Sequence, residues 1–171
     1  MRGFKETDRM RSRLSFLFAL LLTLAGAAPA AFAADDWVVR ESSVGVETTV
    51  ERLQEAIVRS GSKVLAVFDH REAAQEVGLD IAQSTVVLFA KPKSATPIIA
   101  QNPRAAIEMP QRILVWEEEG RTYVGFVSPT MFVTRHGFSS GHPELGRLRA
   151  GLEALVSATV KRRDERADAG H

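Results

Sequence analysis

The chain has 171 residues, of which 45% are hydrophobic and 25% charged, with a formal net charge of +1 and no cysteine. That size and balance describe a single globular domain. The near-zero charge gives no general pull toward nucleic acid. The missing cysteines exclude disulfides, thiolate metal sites and a cysteine nucleophile.

The charge is unevenly spread. Arg2, Lys5, Arg9, Arg11 and Arg13 precede an apolar run (Leu14, Phe16 to Leu22, Leu24) and an alanine-rich stretch that ends at Ala31-Phe32-Ala33. A basic start, a short apolar segment and an Ala-x-Ala site are the parts of a secretory signal peptide, expected over residues 1–33 with cleavage after Ala33. The apolar run is short for a stable membrane span. The basic start has no Arg-Arg pair for a twin-arginine signal, and no cysteine follows the apolar run for lipid attachment. Cleavage would remove five of the 22 Lys and Arg and two of the 21 Asp and Glu, leaving 17 against 19, formally −2. The expected location is periplasmic or secreted, with no permanent span.

Trp37 to Ser43 reads as a first strand. Thr48 and Glu51 make a capping-box pattern ahead of Val50, Leu53, Ala56 and Ile57, and Gly61 closes that helix. Val64 to Asp69 is a second strand. Asp69 and Glu72 repeat the capping pattern for a short helix that ends at Gly78. Thr85 to Ala90 is a continuous apolar run, short enough for a buried strand. Lys91-Pro92 breaks it, and Thr96-Pro97 has the pattern of an N-cap with proline at the first helical position. Asn102-Pro103 repeats that signature before Ala105 to Glu108, and Pro110 stops it. Residues Ile113 to Glu118 and Thr122 to Val127 flank Glu119-Gly120 as a hairpin. Ser128-Pro129 starts a short helix that closes near Gly137. A long helix follows from Pro143, with Leu145, Leu148, Leu152, Leu155 and Val156 on one face. Beyond Lys161 the chain is charged and small, and a disordered tail over 161–171 is expected.

The order β-α-β-α-β-α-β-β-α-α, with no repeat and no dividing linker, predicts one α+β domain over 36–160. A mixed or antiparallel sheet would pack on helices.

Five fragments in fixed order carry a family resemblance: Thr48 to Leu53; Phe68-Asp69-His70 with Ala73-Ala74 and Val77-Gly78-Leu79; Phe89-Ala90-Lys91-Pro92 with Thr96-Pro97-Ile98; Pro110 with Leu114-Val115-Trp116 and Tyr123; and Arg135-His136-Gly137. Over about residues 43–137 the chain resembles the domain of unknown function family 302, of TT-type α+β fold. The resemblance implies an α+β fold and a tendency to form homodimers, and it implies no activity. Ala90, Lys91 and Ala95 stand where that family usually has glycine, asparagine and glycine. A Cβ there reduces close backbone approach.

The chemistry-bearing candidates are few. Lys91, Lys93, Ser94 and Thr96, between a buried strand and a helix start, offer ammonium and hydroxyl donors to an anion. An ordinary strand-to-helix connection explains the same residues. His70 and His136 are the histidines inside the recognisable domain and offer acid/base or metal chemistry. A capping or hydrogen-bonding role is the simpler account of each. Asp69 already has a use as an N-cap, and Glu117 to Glu119 read as a solvated turn. Trp116 and Tyr123, with Met109, Met131 and Phe132, would line a pocket or a core. There is no Gly-x-Ser-x-Gly, His-Glu-x-x-His or haem-attachment motif. The sequence therefore points to a non-enzymatic module that binds a small apolar or anionic ligand between the Lys91–Pro97 loop and the hairpin. It names no cofactor and no metal site. A metal- or haem-dependent protein using His70 or His136, and a cell-envelope interaction module, are the alternatives.

Overall fold

A computed structural model of the protein describes residues 37–160. The expected signal peptide and C-terminal tail lie outside the described residues.

Five strands form one sheet: β1 (Trp37–Ser42), β2 (Lys63–Asp69), β3 (Ser84–Ala90), β4 (Gln111–Glu118) and β5 (Arg121–Val127). Their spatial order is β1-β5-β4-β3-β2, and every neighbouring pair is antiparallel. The sheet is thus wholly antiparallel. The first two strands in sequence occupy its opposite edges. Helix α1 (Val46–Arg59) connects them, and its apolar stripe of Val46, Val50, Leu53, Ala56 and Ile57 is buried.

The start of α1 differs from the sequence expectation. Its N-cap is Gly45, with no side-chain cap bond, so Thr48 lies inside the helix. The fully buried Thr49 has the structural role instead. Its Oγ1 donates to the Gly45 carbonyl at 2.9 Å and pairs with Ser42 Oγ at 2.8 Å, tying the helix to the end of β1. Burying Val46 requires the helix to begin before the capping-box position. Gly61, with φ of +74°, closes α1 as expected.

Helix α2 (His70–Glu76) is short and carries the expected cap. Asp69 Oδ1 accepts from the amides of Arg71 at 2.8 Å and Glu72 at 3.2 Å. Helix α3 (Pro92–Gln101) also starts earlier than its sequence signature. Pro92, not Pro97, occupies the first turn, and Pro97 sits inside the helix. Proline at a first turn loses no intrahelical bond, whereas Pro97 forfeits one. The burial of Ile98, with no exposed surface, holds the segment in place. A 3-10 turn follows (Pro103–Glu108), with Asn102 Oδ1 accepting from Arg104 N as expected. The β4–β5 hairpin turns on Glu119 and Gly120, both at positive φ, the backbone a two-residue hairpin needs.

Helix α4 (Met131–His136) ends at Gly137, and α5 (Pro143–Val160) closes the described chain. His142 Nδ1 accepts from Glu144 N at the start of α5. Burial alternates strictly along β3, with Thr85, Val87 and Phe89 inside. Ile113, Val115, Val124 and Phe126 continue that inner layer, against α1 and α5. Each such fully buried aliphatic or aromatic side chain contributes about 1.5–3 kcal/mol. The opposite layer starts with Trp37 and Val39 on β1, which remain exposed.

Candidate functional site

A cavity of about 590 Å³ opens between the end of α1, the start of α3, the face of α5 and the strand ends of β3 and β4. Its walls are apolar: Phe89, Met109, Pro110, Leu148, Leu152 and Leu155. Small residues on α5 make the room. Gly151, Ala154 and Ala158 all line the space, and a Cβ built on Gly151 would meet nothing within 4 Å.

One corner of the cavity is polar. Arg59, Ser60 and Ser62 come from the end of α1, and Lys91 and Ser94 from the start of α3. Lys91 Nζ donates to the Ser60 carbonyl at 2.8 Å and closes the corner. Ser60 Oγ donates to the Ile57 carbonyl at 2.7 Å and lies 2.8 Å from Ser62 Oγ. The Ala56, Ile57 and Val58 carbonyls accept the amides of Ser60, Gly61 and Ser62. Arg147 lines the cavity from α5, where its guanidinium bonds Glu144. That hydrogen bond holds the Glu144 carboxyl below its usual range and raises Arg147 further. The lining holds three cations and no carboxylate.

A second, smaller cavity of about 220 Å³ brings together His70, Trp37, Arg112 and Glu108. Glu108, 8% exposed, is the hub. Its Oε1 lies 3.1 Å from His136 Nε2 and 3.3 Å from Arg135 Nη1. His136 also packs against Phe132, with ring centroids 5.7 Å apart. His70 is exposed and meets Phe68 edge to face at 5.0 Å. Among the described residues no group of three or more His, Asp or Glu side chains is placed to hold a metal ion.

The sequence candidates therefore separate into three places. Lys91 and Ser94 line the large cavity, while Lys93 and Thr96 are exposed and outside its lining. His70 and the Glu108 partner of His136 share the small one. Trp116 and Tyr123 line neither and stack on each other with centroids 5.5 Å apart. Trp37 meets Trp116 edge to face at 6.1 Å. The Lys91 loop and the hairpin aromatics do not form one site; the wall facing Lys91 is α5. Met109 is in the large cavity, Met131 and Phe132 in the small one.

Sequence reasoning missed Glu108, Arg59 and Arg147. For the α5 wall a signal exists: Gly151, Ala154 and Ala158 recur at helical spacing beside the leucine stripe. Glu108 gives none, because a glutamate ending a short turn reads as solvated.

Three likenesses bear on this geometry. A crystal structure of an uncharacterised conserved DUF302 protein from Bacillus stearothermophilus superposes with a TM-score of 0.69 at 26% identity, covering 74% of this chain and 99% of that one. Proteins named fluoride-specific ion channel FluC 1 of Brucella suis biovar 1 and FluC 2 of Brucella melitensis biotype 1 are each 28% identical over 125 residues. Those matches cover 71% of this chain and 46% and 43% of the relatives, so the chain spans less than half their length. Residues 38–158 match the family described as domain of unknown function DUF302, and with an α+β fold shared over nearly the whole of a DUF302 structure, the chain belongs to that family.

Proposed function

We propose that the protein is an exported, non-enzymatic module that binds a small, largely apolar molecule and works as a homodimer. The observation that carries the binding reading is the cavity of about 590 Å³ walled by α5 and the β3–α3 junction. Its size falls within the roughly 300–1,000 Å³ of small-molecule sites, and a mostly apolar wall with a few convergent polar groups is their usual make-up. Fluoride channel activity is not carried over from the FluC proteins, since the chain covers less than half of them.

The test is uptake of a neutral dye such as N-phenylnaphthylamine by the purified mature protein. Wild type should enhance its fluorescence saturably, and Gly151→Phe, which projects a ring into the open space, should abolish the signal while the fold persists. Equal enhancement in both proteins would exclude this cavity.

The dimer reading draws on the sheet layer that begins with Trp37 and Val39. Trp37, Val39, Phe68 and Val127 are all more than a third exposed. An apolar patch of this kind marks an association surface. Glu41, Arg112, Glu118 and Arg121 border it with both signs of charge, which suits a two-fold, self-complementary contact. Native mass spectrometry should find a dimer that Trp37→Glu converts to monomer; a wild-type monomer would remove this part.

A further inference from the structure

Resting on the binding reading above, we infer that the ligand is a single-chain amphipath with an anionic head, the head held by Arg59 and Lys91 and the tail laid along α5. The cavity is polarised to match such a molecule. Arg59, Ser60, Ser62, Lys91 and Ser94 gather at one junction, the turn that ends α1 and the first turn of α3, and the Lys91–Ser60 bond locks these two together at 2.8 Å, while the other polar lining residues, Gln111 and Arg147, come from β4 and α5. Away from the junction the walls are Phe89, Met109, Leu148, Leu152 and Leu155. A neutral apolar ligand would leave the corner unmatched, and a cationic one would meet like charge.

The two cations differ in how they are held. Lys91 is pinned by one hydrogen bond, but an ammonium has three donors, so two remain for a ligand oxygen. Arg59 bonds Glu55 at 3.2 Å, with the two side chains 53% and 49% exposed. An exposed i,i+4 pair stabilises only weakly. Turning the guanidinium to a ligand anion therefore costs little. Arg147 is different: it is engaged by Glu144 through two hydrogen bonds, which offset its charge. Ser94 lines the same corner and adds a neutral hydroxyl donor, whereas the hydroxyl hydrogen of Ser62 is spent on Ser60 Oγ.

The experiment displaces N-phenylnaphthylamine from the mature protein with three probes that share one tail: laurate, lauryl alcohol and dodecyltrimethylammonium. At low salt laurate should compete about tenfold or more better than the alcohol, a difference of about 1.4 kcal/mol, and the ammonium worst. Arg59→Gln and Lys91→Gln should each bring the laurate-to-alcohol affinity ratio, measured within that variant, down toward one. If the glutamine variants fail to fold, Ser94→Glu, placed in a helix first turn where an acid is tolerated, should invert the order of laurate and the ammonium. Equal affinity for laurate and the alcohol in wild type would overturn the inference while leaving a working apolar cavity. Binding to anionic phospholipid vesicles without displacement by free laurate would overturn it in favour of a membrane surface. Failure of the dye itself to bind would instead remove the binding reading on which this rests.

Discussion

Glu108 and His136 lie 28 residues apart in sequence and meet with Oε1 and Nε2 at 3.1 Å. The contact joins the 3-10 turn before β4 to the last residue of α4, and Asn102 Nδ2 donating to the His136 carbonyl at 3.1 Å reinforces it. An ionised carboxylate only accepts, so in that state His136 Nε2 carries the hydrogen. Glu108→Ala leaves a mostly buried imidazole without its partner. The expected loss is about 1–3 kcal/mol, with Glu108→Gln costing less because it keeps an acceptor. Urea unfolding should show a lower midpoint at unchanged slope. An unchanged midpoint would mean that water serves His136 equally well.

Gly125 should be intolerant of a side chain. A Cβ there would stand 2.8 Å from the Val38 carbonyl oxygen and 3.2 Å from Val39 Cγ2, both on β1, and 3.4 Å from Trp116 Cη2. The first clash is with backbone in the paired strand, so it cannot be relieved by a rotamer change. Gly125→Ala should cost about 1–3 kcal/mol by pushing β1 from β5. The environment of Trp37, which leads β1, should change with it. Thermal unfolding followed by tryptophan fluorescence reads both effects, and a melting temperature equal to wild type would contradict the close approach.

Gly146 is the opposite case. It lies exposed in α5, and a Cβ there would meet nothing within 4 Å. Gly146→Ala should gain about 1 kcal/mol of helix propensity, raising the melting temperature by roughly 2–8 °C. A decrease would show that α5 frays at this turn or that another surface presses on it.

Asp69→Ala should cost about 1 kcal/mol through loss of the α2 cap. Helix α2 has no buried residue, so little tertiary packing replaces the cap. Hydrogen exchange of the Arg71 and Glu72 amides, both donors to Asp69, should accelerate more than exchange in β3. Uniform acceleration would instead indicate a global loss.

Much of the fold was legible because local chemistry and tertiary packing agreed. Gly61, Gly78 and Gly137 end helices at positive φ, as the sequence predicts. The Glu119-Gly120 turn and the leucine stripe of α5 needed no distant partner to be recognised. Reading failed where burial overrode a local signature. Val46 moved the start of α1 ahead of Thr48, and Pro92 moved the start of α3 ahead of Thr96. The site was legible only in part. Lys91 and Ser94 announced themselves by type, but the wall opposite them comes from α5, over fifty residues later in the numbering. Nothing local in Arg59 or Glu108 tells which distant element closes over it.

The Glu144–Arg147 pair on α5 gives a pH-dependent signature. Arg147 holds the Glu144 carboxyl below its usual range, first through their hydrogen bond and then through charge attraction. A carboxyl with a depressed folded-state pKa stabilises the fold at pH above its unfolded value, and that contribution disappears as pH falls through the folded value. The pair should therefore stabilise at neutral pH and fade in acid. Arg147→Gln should return the Glu144 titration toward the usual carboxylate range and flatten that part of the stability profile. Arg147 is exposed and Glu144 half-buried, so added salt should weaken the effect in wild type in part. Carbon-detected NMR of the Glu144 carboxyl in the two proteins measures it directly. Identical titrations would show that the pair does not persist in solution, and Arg147 would then present its full charge to the cavity and strengthen anion binding there.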